Sequence, residues 1–182
     1  YLSAAQRRVL DLFVGVAQCH LCHSGPLFTD DSFHNLGLPA QLGIQACKGE
    51  ACGAEGGRTF GALQVLQGEF NCRSAFSDTS DCPELRHLNP GFDDFIGAFK
   101  TPSLRNVERT APYMHDGQFA DLDQVLKFYN TVPGEPVLGH RELFLKPLRL
   151  KPNHLADLRA FLSALTGPLP DPRWSSPPKV VP

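Results

Sequence analysis

The chain has 182 residues, 42% hydrophobic and 20% charged, with seventeen basic and nineteen acidic side chains and a net charge of −2. These figures bound it to one ordinary globular domain with appendages, and they exclude nucleic acid as a partner, because Lys and Arg are scattered and form no basic stripe. No apolar run approaches the roughly 18 residues that a membrane span needs; the best candidate, 10–17, is broken by Asp11 and Gly15.

From Ser3 to about Gln18 the apolar residues Ala5, Val9, Leu12, Phe13 and Val16 recur at helical spacing. Ser3 with Gln6 resembles a capping box, so the N-terminus reads as a helix start and not as an export segment. This helix leads into Cys19-His20-Leu21-Cys22-His23. That spacing is the C-x-x-C-H haem attachment motif, in which two thiols add to the haem vinyl groups and the adjacent imidazole reaches the iron. His23 is the expected proximal ligand. A redox dithiol would need a thioredoxin-like context, and a zinc site would need a further ligand pair; neither pattern is present.

Residues 36 to 93 are rich in glycine and read as a long loop insertion around the core. They carry Cys47, Cys52, Cys72 and Cys82. Four cysteines allow three pairings, and the local pairs Cys47–Cys52 and Cys72–Cys82 close the shortest loops. None of them precedes a histidine, so one covalent haem c is expected and not two.

A second helix is expected from Asp121 to about Asn130, capped by Asp121 with Gln124 and striped by Leu122, Val125, Leu126 and Tyr129, which turns Tyr129 inward. A third begins at Pro152, is striped by Leu155, Leu158, Phe161, Leu162 and Leu165, and stops at Gly167-Pro168. Few segments alternate like strands. The expected fold is all-α, a c-type cytochrome fold over residues 1–167, with the insertion at about 36–93 and an extended proline-rich tail over 168–182 that carries Trp174.

The sixth iron position decides the chemistry, and the residues alone leave it open. Met114, the single methionine, would stabilise ferrous iron as in an electron carrier; a phenolate, with Tyr129 as the candidate, would stabilise ferric and higher states.

The run Gly97-Ala98-Phe99-Lys100-Thr101-Pro102-Ser103-Leu104-Arg105-Asn106-Val107, then Thr110-Ala111-Pro112-Tyr113-Met114-His115-Asp116-Gly117, then the helix through Tyr129, resembles the C-terminal haem domain of the bacterial dihaem cytochrome c peroxidase and MauG family. With Cys19 to Asp31 the likeness spans most of residues 3–167. The resemblance implies His23 and Tyr129 as the axial pair, in the manner of MauG-like proteins, with Met114 as the alternative. It implies a calcium ion held partly by backbone carbonyls of Thr110 and Pro112, at a boundary with an N-terminal peroxidatic haem domain outside this sequence. Arg105, and also Lys100, are candidates for binding haem propionates, since a guanidinium fork grips a carboxylate bidentately, and His34 and His115 are candidates for hydrogen bonds near the haem rather than for ligands.

The expected function is that of the haem c half of a MauG-like dihaem oxidoreductase. It would relay and store oxidising equivalents as hydrogen peroxide reacts at the partner haem and a protein substrate or donor cytochrome is oxidised. A monohaem electron-transfer cytochrome c, or the electron-transfer half of a conventional dihaem peroxidase, is the alternative. Haem c and disulfides together point to the periplasm.

Overall fold

The computed structural model describes residues 4–38, 55–79, 81–136 and 138–169, together with Asp171 and Trp174. In chain order its elements are α1 (Ala4–Val14), β1 (Phe33–His34), α2 (Arg58–Gln67), α3 (Pro83–Arg86), β2 (Phe99–Lys100), α4 (Leu122–Thr131) and α5 (Pro152–Ala164). The fold is mostly helical, and its one sheet pairs β1 antiparallel with β2, Phe33 opposite Lys100 and His34 opposite Phe99.

The core forms where α1 and α4 pack on α5. Val9 and Phe13 of α1, Leu122 and Leu126 of α4, and Leu158 and Leu162 of α5 are buried in one cluster with Leu104 and Val107. Each fully buried side chain of this kind stabilises the fold by roughly 1.5–3 kcal/mol before the entropy of ordering is counted. Three aromatic rings lock the loop after the cysteine pair onto the helix crossing. Phe28 meets Phe13 at 5.9 Å and Phe161 at 6.0 Å, and Phe13 meets Phe161 at 5.1 Å.

The helix ends follow local chemistry. Asp121 caps α4, its carboxylate accepting from the Gln124 amide at 2.8 Å, while the Gln124 side chain accepts from the Ala120 amide at 3.3 Å. Such a cap is worth about 1 kcal/mol. At its other end α4 stops where Val132 turns left-handed ahead of Pro133. The chain then returns across α4, with the Leu148 amide donating to the Tyr129 carbonyl at 3.2 Å and the Leu150 amide to the Asn130 side chain at 2.6 Å.

Helix α1 is shorter than its apolar pattern suggests. It ends at Val14, the Ala17 amide reaches back to the Leu12 carbonyl, and Gln18 adopts φ 51°, so Val16 leaves the stripe and is 66% exposed. The expected cap at Ser3 lies outside the described residues.

The insertion is not all loop. It contains the ten-residue α2 and the single turn α3, and Cys72 bonds Cys82 as expected, with a Cα separation of 5.5 Å. The Cys47–Cys52 pair lies outside the described residues. The excursion closes on itself at a neck: Gly57 bridges Ala98, Arg58 N donates to Ala98 O at 2.8 Å, and Gly97 N donates to Gly56 O at 3.1 Å. Gly57 sits at φ +59°, and a Cβ there would stand 2.4 Å from the Ala98 carbonyl oxygen, so the close approach requires glycine. No helix among the described residues is long and apolar enough to cross a membrane. Most of the tail lies outside the described residues, and Trp174 is 82% exposed.

Candidate functional site

The helix crossing leaves a cavity of about 640 Å³, within the range that holds cofactors. Its wall is mainly apolar, with Phe13, Leu104, Leu126 and Leu158 among its lining. Into it the fold brings Cys19, Cys22, His23, Thr110, Pro112, Met114 and Tyr129, residues spread over 110 positions of sequence. Arg105 is not brought there.

The attachment motif is shaped by its backbone. Gln18 in a left-handed conformation starts a 3-10 turn over Cys19–Leu21, and the His23 amide donates to the Cys19 carbonyl at 2.9 Å. Both cysteines line the cavity as free thiols. Burial pushes the Cys19 thiol up to about 12; burial and then the charges of Asp30 and Glu142 push Cys22 up to about 11. A strongly raised thiol is the opposite of the low-pKa cysteine that a redox dithiol uses.

His23 is oriented through the backbone. Its Nδ1 lies 2.9 Å from the Phe28 carbonyl oxygen. A carbonyl only accepts, so Nδ1 carries a proton, and in the neutral ring the lone pair is on Nε2. Burial, with the charge of His34, pulls the His23 pKa below its usual value, outweighing the Phe28 and Pro102 backbone and Asp30, which act the other way. A neutral imidazole fixed through Nδ1 by a backbone carbonyl is the form that ligates metals.

Tyr129 reaches the same cavity from α4. Burial drives its hydroxyl well above the phenol range, with the two cysteine thiols adding to the shift. Its ring meets the Phe128 ring at 5.3 Å. A nearby metal cation inverts this preference and favours the phenolate. Met114 lines the cavity as well, at φ 70° in the turn whose ends are joined by the Tyr113 amide donating to the Phe119 carbonyl at 2.7 Å. Tyr113 itself donates its hydroxyl to the Val107 carbonyl at 2.9 Å.

Three other expected contacts take specific forms. Arg105 donates from Nε to the Pro26 carbonyl at 2.9 Å and lies over the Phe28 ring at 4.9 Å, so it braces the loop that holds His23. Lys100 lines the cavity and is ion-paired with Asp31. His115 stacks on Phe99 at 3.6 Å, and its Nε2 is held by Glu55 at 3.0 Å.

The sequence reading missed Glu142. The structure sets it on one side of His34, with Asp30 on the other. The four-residue spacing of Asp30 and His34 was a readable signal; the 108-residue separation of Glu142 from His34 was not. Cys22, Asp30 and His34 form the one metal-like cluster among the described residues, but both His34 nitrogens already face carboxylates, which leaves no lone pair for an ion.

Two cavity-facing thiols, a neutral imidazole held by a backbone carbonyl and a surrounding helical core are consistent with a cytochrome c-like fold. No family model matches the chain. Among curated proteins it is 37% identical to a cytochrome-c peroxidase of Denitromonas iodatirespirans over 169 residues, 91% of this chain and 41% of that one. It is 34% identical to the methylamine utilization protein MauG of Methylorubrum extorquens over 164 residues, 90% of this chain and 35% of that one. Among solved structures it is similar to a MauG-like protein associated with microbial copper homeostasis, with TM-score 0.59, 27% identity and coverage of 91% and 48%. The diheme peroxidase BthA from Burkholderia thailandensis shares the fold, with TM-score 0.55, 21% identity and coverage of 91% and 43%.

The homologues of this chain are thus cytochrome-c peroxidases and MauG proteins, and it corresponds to a C-terminal part of them. It spans about two fifths of the length of the curated relatives it matches.

Proposed function

We propose that this part of the protein holds one covalent haem c, bonded through Cys19 and Cys22, with His23 and Tyr129 as the axial pair. The observation that carries the reading is the His23 Nδ1 contact with the Phe28 carbonyl, which reserves Nε2 for a metal in a cavity that also presents both thiols and the Tyr129 hydroxyl. When bound, the haem supplies a one-electron redox centre whose oxidised states a phenolate favours.

The chain's own residues do the rest. Leu104, Leu126 and Leu158 give the cavity its apolar wall, Arg105 and the Phe13–Phe28–Phe161 contact hold the attachment loop, and the chain returning over α4 fixes the Tyr129 backbone. In the whole protein this part would relay and store oxidising equivalents. Hydrogen peroxide would react at a second haem domain, and a protein substrate or donor cytochrome would supply electrons. The compartment that fits thioether chemistry and the Cys72–Cys82 disulfide is the periplasm. Thr110 and Pro112, which line the cavity beside Met114, would offer carbonyls to a calcium ion.

The presence of Met114 in the same wall supports a second reading, an electron-transfer haem with methionine ligation. One spectrum separates the two. In the ferric protein we expect no sulfur-to-iron charge-transfer band in the far red, an altered ferric spectrum in Tyr129→Phe, and no change in Met114→Leu. A far-red band that vanishes in Met114→Leu would overturn Tyr129 ligation in favour of the electron-carrier reading.

A further inference from the structure

We infer that Asp30, His34 and Glu142 form a fixed charge cluster at the cavity, whose wall His34 and Glu142 line, with His34 as an imidazolium, and that its net negative charge lowers the redox potential of the haem. The inference rests on the haem-binding reading above and extends it to residues that neither anchor nor ligate the group.

With both carboxylates ionised, the hydrogen bonding sets the charge state. His34 Nε2 lies 2.7 Å from Asp30 Oδ2, and Nδ1 lies 2.8 Å from Glu142 Oε1. Ionised carboxylates only accept, whereas a neutral imidazole has one N–H; two such contacts need two donors, which only the protonated ring supplies. Burial pulls the His34 pKa down, yet the two carboxylates outweigh it and hold the ring above its usual value. Burial pushes Asp30 up, and His34, the Ser32 amide and Thr101 more than reverse it. Two carboxylates around one imidazolium leave a net charge of about −1, in side chains only 18–28% exposed, where water screens weakly.

The cluster is built into the attachment site. The Asp30 amide donates to the Cys22 carbonyl at 2.8 Å, the Glu142 amide donates to the Asn35 carbonyl at 3.0 Å, and His34 belongs to β1. It therefore joins the attachment loop, the sheet and the chain beyond α4 on one wall. The ligand atoms of Cys22, Asp30 and His34 all lie within 4.8 Å of one another. The charges of Asp30 and His34 act on His23, and those of Asp30 and Glu142 act on Cys22. Negative charge at this position opposes the added electron and stabilises the oxidised centre. The nearby ion pair Lys100–Asp31 is internally matched and leaves the cluster's sign unchanged.

The test is the midpoint potential of this haem at pH 6 in the full-length protein, in Glu142→Gln and in Asp30→Asn. Each amide oxygen still accepts from His34, so the hydrogen bond survives while the charge is removed. We expect both variants to retain covalent haem and both potentials to move upward, with His34→Gln moving the other way. A purely structural role leaves the two amide variants at the wild-type potential, and that result, or a downward shift in either, overturns the inference. A wild-type protein with no covalent haem at the Cys19–Cys22 site overturns the functional reading itself, an outcome visible on a denaturing gel before any potential is measured.

Discussion

Where α1, α4 and α5 bury Val9, Phe13, Leu122, Leu126 and Leu158 together, the excursion between Gly57 and Ala98 leaves Phe70 and Phe76 75% and 71% exposed. The helices are held by a shared apolar interior. The excursion is held by the Cys72–Cys82 bond and by short side-chain turns, such as the Asn71 side chain donating to the Val65 carbonyl and the Ser74 hydroxyl accepting from the Phe76 amide. One region positions chemistry by packing, and the other keeps its shape by covalent and local polar means. A change in either should leave the other nearly untouched.

The largest break in this contrast is expected from Leu158→Ala, at the most buried large side chain of the fold. It should cost about 2–5 kcal/mol, read as a lower denaturant midpoint, with haem incorporation falling as the α5 wall of the cavity collapses. Retention of both would show that the helices do not depend on this core. Next in size is the double variant Cys72→Ser, Cys82→Ser. Opening a loop of this length should cost about 2–3 kcal/mol, confined to the excursion. Hydrogen exchange should rise across residues 69–86 while the ferric spectrum stays fixed; a changed spectrum would mean that the two regions are coupled.

The smallest effect expected is one of pH, and it belongs to the cavity region alone. Asp30 lies below its usual 3.8 in the fold, so its contribution is complete above that value and is lost as pH falls through its folded pKa. His34 lies above its usual 6.5, so its contribution is complete below that value and is lost as pH rises through its folded pKa. Stability should therefore be flat between 3.8 and 6.5 as far as this cluster is concerned and decline on either side, with His34→Gln flattening the alkaline limb. An alkaline limb unchanged in that variant would assign the decline to other groups.

What the sequence made legible follows the same division. Helices α1, α4 and α5 each bury an apolar stripe, so periodicity revealed them, and the Asp121 cap was readable because Gln124 stands three residues on. Helix α2 was hidden because it has no such stripe: its buried residues are Thr59 and Ala62, and Gly57, Gly61 and Gly68 punctuate it. At the cavity, the attachment motif and Tyr129 were legible as local patterns. The roles of Phe28 and Arg105 were not, because one acts through a carbonyl and the other grips Pro26 from 79 residues away. No spacing rule encodes either.

The neck at Gly57 and Ala98 has a consequence for how such a chain can vary. Strand-like hydrogen bonds pinch the two stems of the excursion together before it departs, so its ends are pinned however much polypeptide runs between them. Gly57 cannot accept a side chain, but the span beyond the neck is a socket. Segments of other lengths and surfaces can be spliced into it, giving one helical scaffold interchangeable outer faces without rebuilding the cavity.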